Sequence, residues 1–420
     1  MPKKAVQKVV LAYSGGLDTS NIVPWLMDNY GCEVICFTAD IGQGGEFNQL
    51  KEHALASGAS QFVLRDLKAE FAEGYLYPLI RSGAVYEGKY LLGTALARPL
   101  IAAHQVAVAQ ELGADAVAHG GTGKGNDQVR FELTYMALDP TLTVIAPWRE
   151  WDIRTRADAL AYARAHNIPV PATAGEKRVY SRDRNLWHYA HEGGPLEEAW
   201  DAPEEAMYLL SASPENALDK ADYVTIDFDN GNPISVDGEK LAAVEMIQRL
   251  NSLGAMHGIG RADLVESRLV GLKSHGVYET PAGTILTAAH RELESLVLDK
   301  DTLQFKANAA LKYAELIYNG LWFSPLRESL DAFFDNTQIP VSGTIRLKLY
   351  KGNVIPVGRK SPNSLYRDEY ATFGLDDVYD QQESQGFTNV FGLHLKVRAL
   401  NRMTPGGKIP KPDFTRFKRD

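Results

Sequence analysis

Residues 9–20 are Val9-Val10-Leu11-Ala12-Tyr13-Ser14-Gly15-Gly16-Leu17-Asp18-Thr19-Ser20, and this stretch decides which fold we expect for the 420-residue chain. Its first part is a short apolar run with two β-branched residues, which is typical of a buried parallel strand. Two glycines end the run, and we expect a helix to begin near Thr19. Glycine backbone without Cβ atoms, three hydroxyls and the positive end of a helix dipole favour a bound phosphate.

The spacing of this loop excludes the two commonest glycine motifs. A Walker A loop requires a lysine, which the turn after Tyr13 lacks, and a dinucleotide fingerprint requires three glycines at G-x-G-x-x-G. The pattern Ser-Gly-Gly-x-Asp-x-Ser instead resembles the loop of N-type ATP pyrophosphatases, which bind the pyrophosphate of ATP and transfer AMP to a substrate oxygen. The alternative is an ordinary βα turn, which needs one glycine but not this whole set.

Composition indicates an acidic, multidomain protein. Lysine and arginine number 44 against 53 acidic residues, so the net charge is −9, and no basic stretch is interleaved with aromatic residues. A nucleic-acid partner is therefore disfavoured. The two cysteines, Cys32 and Cys36, fit neither a redox nor a zinc spacing and are expected to be buried fillers. We find no signal sequence and no apolar run long enough to span a membrane, so we expect a cytoplasmic protein.

Short apolar runs alternate with helical patterns from Lys8 to about Pro169, which predicts a doubly wound parallel sheet. After the first strand, the expected strands are Glu33 to Thr38, Gln61 to Leu64, Ala114 to His119 and Thr143 to Ala146. Ligands of such sheets bind at the carboxyl ends of the strands. We therefore expect the Ser14 loop, residues 39–45 and residues 120–127 to converge on one crevice. A helix is expected from about Arg98-Pro99 to Gly113.

The glycine-rich run Gly120-Gly121-Thr122-Gly123-Lys124-Gly125-Asn126-Asp127 is the second chemical signal. Lys124 suits a phosphate or a carboxylate, and Asn126 with Asp127 suits an amino-acid zwitterion. The alternative is a flexible loop in which Asn126 or Asp127 caps the next helix. Capping does not explain four glycines, so we favour a binding loop.

These segments together resemble the argininosuccinate synthase family over nearly the whole chain. The resemblance rests on Ala12 to Ser20, Tyr86 to Thr94, His119 to Glu132 and Val277 to Thr284. It implies ATP-dependent condensation of citrulline with aspartate through a citrullyl-adenylate, with release of AMP and pyrophosphate and with Mg²⁺ on the phosphates. It also implies a homotetramer.

The resemblance assigns roles residue by residue. It implies that ATP is bound by Ala12, Tyr13, Ser14, Gly15, Gly16, Leu17, Asp18, Thr19, Ser20, Ala39 and Gly120. Aspartate would be held by Thr122, Asn126 and Asp127, and citrulline by Tyr90, Asn126, Arg130, Ser181, Glu266 and Tyr278. We expect Asp18, Ser20, Lys124 and Asp127 to be catalytic. For Arg130 and Glu266 the alternatives are a solvated helix charge and a surface ion pair.

Two positions depart from the family pattern. Where most relatives have serines that bind citrulline, this chain has Ala95 and Ala190. Without the hydrogen bonds of these two serine hydroxyls, citrulline would bind more weakly by roughly 5- to 150-fold. We hypothesise that citrulline remains the substrate and that a water or the Tyr189 hydroxyl takes the place of a serine hydroxyl; the alternative is another ureido or amide acceptor for an ATP-pyrophosphatase ligase.

The rest of the sequence indicates architecture. We predict a nucleotide-binding domain over 1–170, an α+β synthetase domain over 171–362 and a C-terminal oligomerisation segment, helix and arm, over 363–420. Hairpins are expected from Asp222 to Val236 and from Thr344 to Val357, with a helix from Glu239 to Leu253 capped by Gly254. His188 and His191 have H-x-x-H spacing on an expected helix, but they lack a supporting third ligand for zinc.

Overall fold

The computed structural model describes residues 5–169, 180–372 and 380–411. The chain divides into two compact units, Met1–Leu365 and Tyr366–Asp420. Within the described residues, no helix is both long and apolar enough to cross a membrane.

The first sheet is parallel and has the strand order β3-β2-β1-β4-β5. Its strands are β1 Lys8–Ala12, β2 Glu33–Asp40, β3 Gln61–Asp66, β4 Ala116–Ala118 and β5 Thr143–Ile145. The helices of this part are α1 Leu17–Tyr30, α2 Phe47–Ala56, α3 Lys68–Glu70, α4 Tyr77–Ser82, α5 Gly93–Glu111, α6 Asp127–Leu138 and α7 Arg156–Ala165, with a π-helical segment Phe71–Leu76 and a 3₁₀ turn Pro147–Arg149. The predicted doubly wound sheet and its five strands are confirmed.

Apolar side chains cover this sheet on both faces. Val10 and Ile35 pack into one core, and Val9 and Val34 pack into a second core on the other face. Successive residues of a strand point to opposite faces, so a strand that is buried on both faces requires an uninterrupted apolar run. The two cysteines are buried and free, as expected.

Two antiparallel sheets follow, with the orders β11-β12-β7-β6 and β10-β9-β8-β13-β14. Their strands are β6 Ser181–Arg184, β7 Tyr189–Glu192, β8 Asp222–Asp229, β9 Asn232–Val236, β10 Glu239–Lys240, β11 Arg261–Ser267, β12 Lys273–Glu279, β13 Gly343–Tyr350 and β14 Asn353–Lys360. The helices are α8 Ala243–Met256, α9 Pro281–Val297, α10 Lys300–Tyr318 and α11 Pro325–Gln338, with 3₁₀ turns Gly194–Glu197 and Glu205–Met207. Both predicted hairpins are present as β8–β9 and β13–β14.

Two helix predictions were wrong at their ends. The expected start near Arg98 lies inside α5, which begins at Gly93. Trp187 Nε1 and Asn185 Nδ2 donate to the carbonyls of Leu91 and Gly93 and so anchor the chain at this start. The donors of these hydrogen bonds lie more than ninety residues away in sequence, so no local sequence pattern predicts this start.

The helix predicted from Glu239 begins instead at Ala243, since Glu239–Lys240 pairs with β9 as a strand. Gly254 does not cap it but lies within it. A Cβ at Gly254 would come within 2.7 Å of the Pro281 side chain, so this glycine permits close packing of α8 on α9.

The second unit contains α12 Asp368–Ala371, α13 Glu383–Phe391 and α14 Leu393–Leu400. The apolar side chains Phe387, Val390 and Phe391 of α13 are more than two-thirds exposed. The predicted arm from Met403 is described only as far as residue 411, and the expected domain boundary near 167–175 lies largely outside the described residues.

A buried carboxylate, Glu279 at the end of β12, fastens an irregular segment to the sheet. It accepts hydrogen bonds from His191 Nε2 at 2.9 Å, from the backbone N–H groups of Leu209 and Leu210, and from both N–H and Oγ of Ser211. Burial alone would raise the pKa of Glu279, but these donors outweigh it and lower the pKa to about 2.

We therefore expect Glu279→Gln to destabilise the fold by about 3 kcal/mol at pH 7, because a shift of that size in a fully buried carboxyl is worth about 1.4 kcal/mol per pKa unit. A carboxyl whose pKa is lowered by folding contributes fully above its ordinary pKa, and the contribution fades as pH falls towards about 2. Urea unfolding followed by tryptophan fluorescence should show the full difference at pH 7 and pH 5, and a smaller one below pH 4.

The control is Glu239→Gln, which removes an exposed carboxylate from β10. That change should alter stability by less than about 0.5 kcal/mol. Equal stability of Glu279→Gln and wild type would show that the buried cluster does not hold the segment.

Candidate functional site

A cleft of about 590 Å³ opens at the carboxyl ends of β1, β2 and β4. The three segments that the sequence predicted to converge all line it: the Ser14 loop, residues 39–45 and the start of the second glycine run. Of the residues predicted to bind ATP, those lining the cleft are Ala12, Tyr13, Ser14, Gly16, Leu17, Asp18, Thr19, Ala39 and Gly120.

Hydrogen bonds made by its own hydroxyl groups stabilise the conformation of the Ser14 loop. Ser14 Oγ lies 3.2 Å from Thr19 Oγ1 and accepts from the Gly16 N–H, while Thr19 Oγ1 donates to the Gly16 carbonyl. Gly16 is the residue before α1, so the unpaired N–H groups of the first turn face the cleft. Asp18 lies at the surface in that turn. The surrounding protein atoms still remove part of the water around its carboxylate, which raises its pKa, and the positive charge of Arg156 opposes this shift. Ser20 is buried, with Oγ 3.1 Å from the Tyr13 hydroxyl.

The second glycine run meets the first loop at Gly120, where a Cβ would lie 3.1 Å from Thr19 Cγ2. Thr122 and Lys124 are exposed, and neither belongs to the lining of the cleft. Asn126 occupies the position before α6 but its side chain makes no cap. Instead its Oδ1 accepts from the Leu269 N–H at 2.9 Å, so the capping alternative is wrong for Asn126.

Arg98 joins the nucleotide cleft to a polar region beyond it. Its Nε donates to Asp127 Oδ2 at 2.8 Å, and its Nη2 lies 3.0 Å from Asp183 Oδ2. Asp127 also accepts from Arg130 Nη1 at 3.0 Å. Burial would raise the pKa of Asp127, but the two guanidinium groups outweigh it and hold that pKa below its usual range. Asp127 therefore remains negatively charged throughout the neutral range.

Most of the residues predicted to bind citrulline form one buried aromatic pocket. Tyr90 packs on Tyr278 with ring centroids 4.5 Å apart, and the Tyr278 hydroxyl donates to Glu266 Oε1 at 3.1 Å. Arg130 lies over the ring of Tyr318 and donates to its carbonyl. Glu266 is 6 % exposed and burial raises its pKa, so the alternative of a surface ion pair is wrong.

The alternation of the four-stranded sheet explains how distant residues reach this pocket. Asp183, Ala190 and Tyr278 lie side by side on adjacent strands, so they face the same side, and Ser181 and Glu192 lie two residues further along. Tyr189 points to the opposite face, where Arg184 lies over its ring. The hypothesis that the Tyr189 hydroxyl takes the place of a serine hydroxyl at position 190 is therefore wrong.

Two histidines that sequence analysis placed on a helix lie elsewhere. His188 is in a turn before β7, with Nε2 2.9 Å from Thr94 Oγ1, and its burial lowers its pKa to about 4. His191 lies within β7 and bonds Glu279.

Sequence reasoning missed four charged residues that complete the site: Arg98, Asp183, Glu192 and Arg268. One signal was available, since Ser181-Arg182-Asp183-Arg184 is a strand with charged residues at adjacent positions, which an ordinary sheet does not favour.

Comparison with known proteins gives a consistent result. Residues 8–169 match the family model of the arginosuccinate synthase N-terminal HUP domain, and residues 180–398 match the arginosuccinate synthase C-terminal domain. The chain is 60% identical over 396 residues to the argininosuccinate synthase of Carboxydothermus hydrogenoformans, a match that covers 94% of this chain and 98% of that protein. It is 59% identical over 401 residues to the enzyme of Desulfitobacterium hafniense, covering 96% of this chain and all of the relative. The argininosuccinate synthase of Roseiflexus castenholzii is 60% identical over 396 residues, covering 94% and 98%.

The Ser14 loop generates a prediction about Gly15. This residue has φ +76°, and an added Cβ would lie 2.0 Å from Leu50 Cδ1 on α2. We expect Gly15→Ala to weaken ATP binding at least 100-fold, measured by isothermal titration, because the loop must change its backbone path. Adding Leu50→Ala should remove the clash and recover part of the lost thermal stability without restoring ATP binding, because the positive φ stays strained for an alanine.

The control is Gly31→Ala, which has a similar φ of +62° but open space around it at the end of α1. It should lose stability and keep ATP affinity. Normal ATP affinity in folded Gly15→Ala would contradict the phosphate loop.

Proposed function

The chain belongs to the argininosuccinate synthase family, and from that premise we propose that it joins citrulline to aspartate at the expense of ATP, in arginine biosynthesis. The ureido oxygen of citrulline attacks the α-phosphorus of ATP and pyrophosphate leaves. The α-amino group of aspartate then attacks the ureido carbon of the citrullyl-adenylate, and AMP leaves with the original ureido oxygen.

The observation that carries this proposal is the position of Asp127. It lines the nucleotide cleft and accepts from Arg130, whose guanidinium lies over the ring of Tyr318, and Tyr318 packs edge-on against Tyr90 of the aromatic pocket. A nucleotide in the cleft and an amino acid in the pocket would therefore be neighbours, as transfer of AMP between them requires.

We assign the roles accordingly. The Ser14 loop and Gly120 bind the phosphates through backbone N–H groups, with Asp18 beside them in the cleft, and the exposed Lys124 of the second glycine run meets a phosphate or a carboxylate of the bound substrates. Ser20 supports the loop from its buried position. Thr122, Asn126 and Asp127 receive aspartate, and Tyr90, Asn126, Arg130, Ser181, Glu266 and Tyr278 receive citrulline. The neutral ureido oxygen is a weak nucleophile, so alignment and charge neutralisation are what these residues supply.

Mg²⁺ would be bound mainly by the phosphates. The described residues contain no group of three or more His, Cys, Asp or Glu that could hold a metal, whereas Mg²⁺ commonly binds through phosphates, waters and one or two carboxylates. The exposed carboxylate of Asp18 beside the phosphate loop fits that requirement, and the ion would neutralise phosphate charge. We further propose a cytoplasmic homotetramer in which the segment 363–420 contributes to assembly, and the exposed apolar residues of α13 support this assignment.

Isotope transfer tests the reaction. Citrulline labelled with ¹⁸O on the ureido group should transfer its label to AMP, and pyrophosphate should form only when citrulline is present. Mass spectrometry of the two products decides the matter, since label in pyrophosphate, or none in AMP, is incompatible with the proposed attack.

The two alanines test the substrate. Ala190 lies on the face of the sheet that carries Asp183 and Tyr278, and Ala95 is buried with its N–H 3.4 Å from the Tyr90 hydroxyl. We expect Ala95→Ser with Ala190→Ser to lower the KM for citrulline about fivefold or more, because each hydroxyl adds about 0.5–1.5 kcal/mol, and to leave the KM for ATP unchanged.

Ala163→Ser is the matched control, since it buries a hydroxyl in α7. It should leave both KM values unchanged. A wild type that prefers another amide or ureido acceptor by more than tenfold, and a double variant that switches to citrulline, would overturn the assignment of citrulline.

A further inference from the structure

The tip of the β11–β12 hairpin touches the second glycine run at two points. Arg268 Nη1 donates to the Lys124 carbonyl at 3.0 Å, and the Leu269 N–H donates to Asn126 Oδ1 at 2.9 Å. The tip is itself closed by hydrogen bonds between Arg268 and Leu272 and between Gly271 and Arg268. The tip of the hairpin is therefore hydrogen-bonded to the second glycine run, which follows β4 of the first sheet.

The other side of the Arg268 guanidinium is anchored in the four-stranded sheet. Nη2 donates to Glu192 Oε2 at 2.5 Å and to Ser274 Oγ at 2.8 Å, and the side chain is 19% exposed. A planar guanidinium makes these bonds and the bond to the loop carbonyl at the same time, which a lysine ammonium on a flexible stem does less well. Arg268 thus fixes the distance between β7 and the glycine loop.

This contact also fixes which atoms Asn126 offers. Since Oδ1 accepts from the Leu269 N–H, the Nδ2 hydrogens are the groups that the amide can still offer, on the side where the Tyr318 hydroxyl lies. Such donors match a carboxylate or a ureido oxygen and do not match an ammonium group. Asn126 is 8 % exposed, so a rotated amide would leave the Leu269 N–H without its partner.

We propose that Arg268 is a positioning residue for the aspartate subsite: with Leu269 it holds the loop of residues 120–126 in place and orients the Asn126 amide as a donor. The inference rests on the proposed function, because the subsite is assigned there. Arg268 acts through Lys124 and Asn126. Its effect should fall mainly on the second half-reaction, because two of the three residues assigned to aspartate, Thr122 and Asn126, lie in this loop, whereas only Asn126 of the six assigned to citrulline does.

The experiment compares Arg268→Ala and Arg268→Lys with wild type. Citrulline-dependent exchange of labelled pyrophosphate into ATP, without aspartate, reports adenylation, and steady-state kinetics report the KM for aspartate. Arg268→Ala should raise the KM for aspartate at least tenfold and leave exchange within threefold of wild type. Arg268→Lys should lie between them, and it carries the test if the alanine variant fails to fold.

The matched control is Arg249→Ala, which removes an arginine paired with Glu239 away from the site and should change neither assay. Hydrogen exchange measured by mass spectrometry gives a second readout: amides of residues 120–126 should exchange faster in Arg268→Ala, and those of α1 should not. An unchanged KM for aspartate, equal losses in both half-reactions, or unchanged exchange in the loop would overturn the inference. Wild type without citrulline-dependent pyrophosphate exchange would instead overturn the proposed function.

Discussion

The double ion pair of Arg98 with Asp127 and Asp183 is the interaction on which the arrangement of this site depends. Asp127 begins α6, the helix that connects β4 to β5 of the parallel sheet, and Asp183 lies on β6, the edge strand of an antiparallel sheet. One guanidinium therefore connects the parallel-sheet part of the protein to the antiparallel part. Its side chain is 15% exposed, and burial alone would lower its pKa, but the two carboxylates outweigh that effect. Removing either carboxylate would leave a mostly buried charge incompletely paired, which is far more costly than losing a surface ion pair.

The parallel sheet and its ligand edge could be predicted from sequence because both are encoded locally. A β-branched run followed by Gly15 and Gly16 specifies a strand, a turn and a helix without help from the rest of the chain. The carboxyl ends of parallel strands then share one edge whatever the order of the strands. For the same reason the convergence of Ser14, Ala39 and Gly120 required no knowledge of packing.

The aromatic pocket depends on contacts that no short window contains. Asn185 and Trp187, more than ninety residues away in sequence, donate to carbonyls at the start of α5, and the same segment places His188 beside Thr94. The register of β6 and β7 on β12 decides that Ala190, not Tyr189, faces the pocket. A shift of one residue would exchange the two faces, so a motif can name these residues but cannot orient them.

The surroundings of the site shift the pKa values of its carboxyl groups in opposite directions. Two guanidinium groups hold the pKa of Asp127 low, whereas burial raises the pKa of Glu266. Asp127 is consequently a permanent charge that anchors Arg98 and Arg130. The pKa of Glu266 lies closer to the neutral range, because less positive charge surrounds Glu266 than would offset its burial. One site therefore contains a carboxylate that stays charged, Asp127, and one whose pKa is raised, Glu266, and the difference follows from the contact of Asp127 with both Arg98 and Arg130.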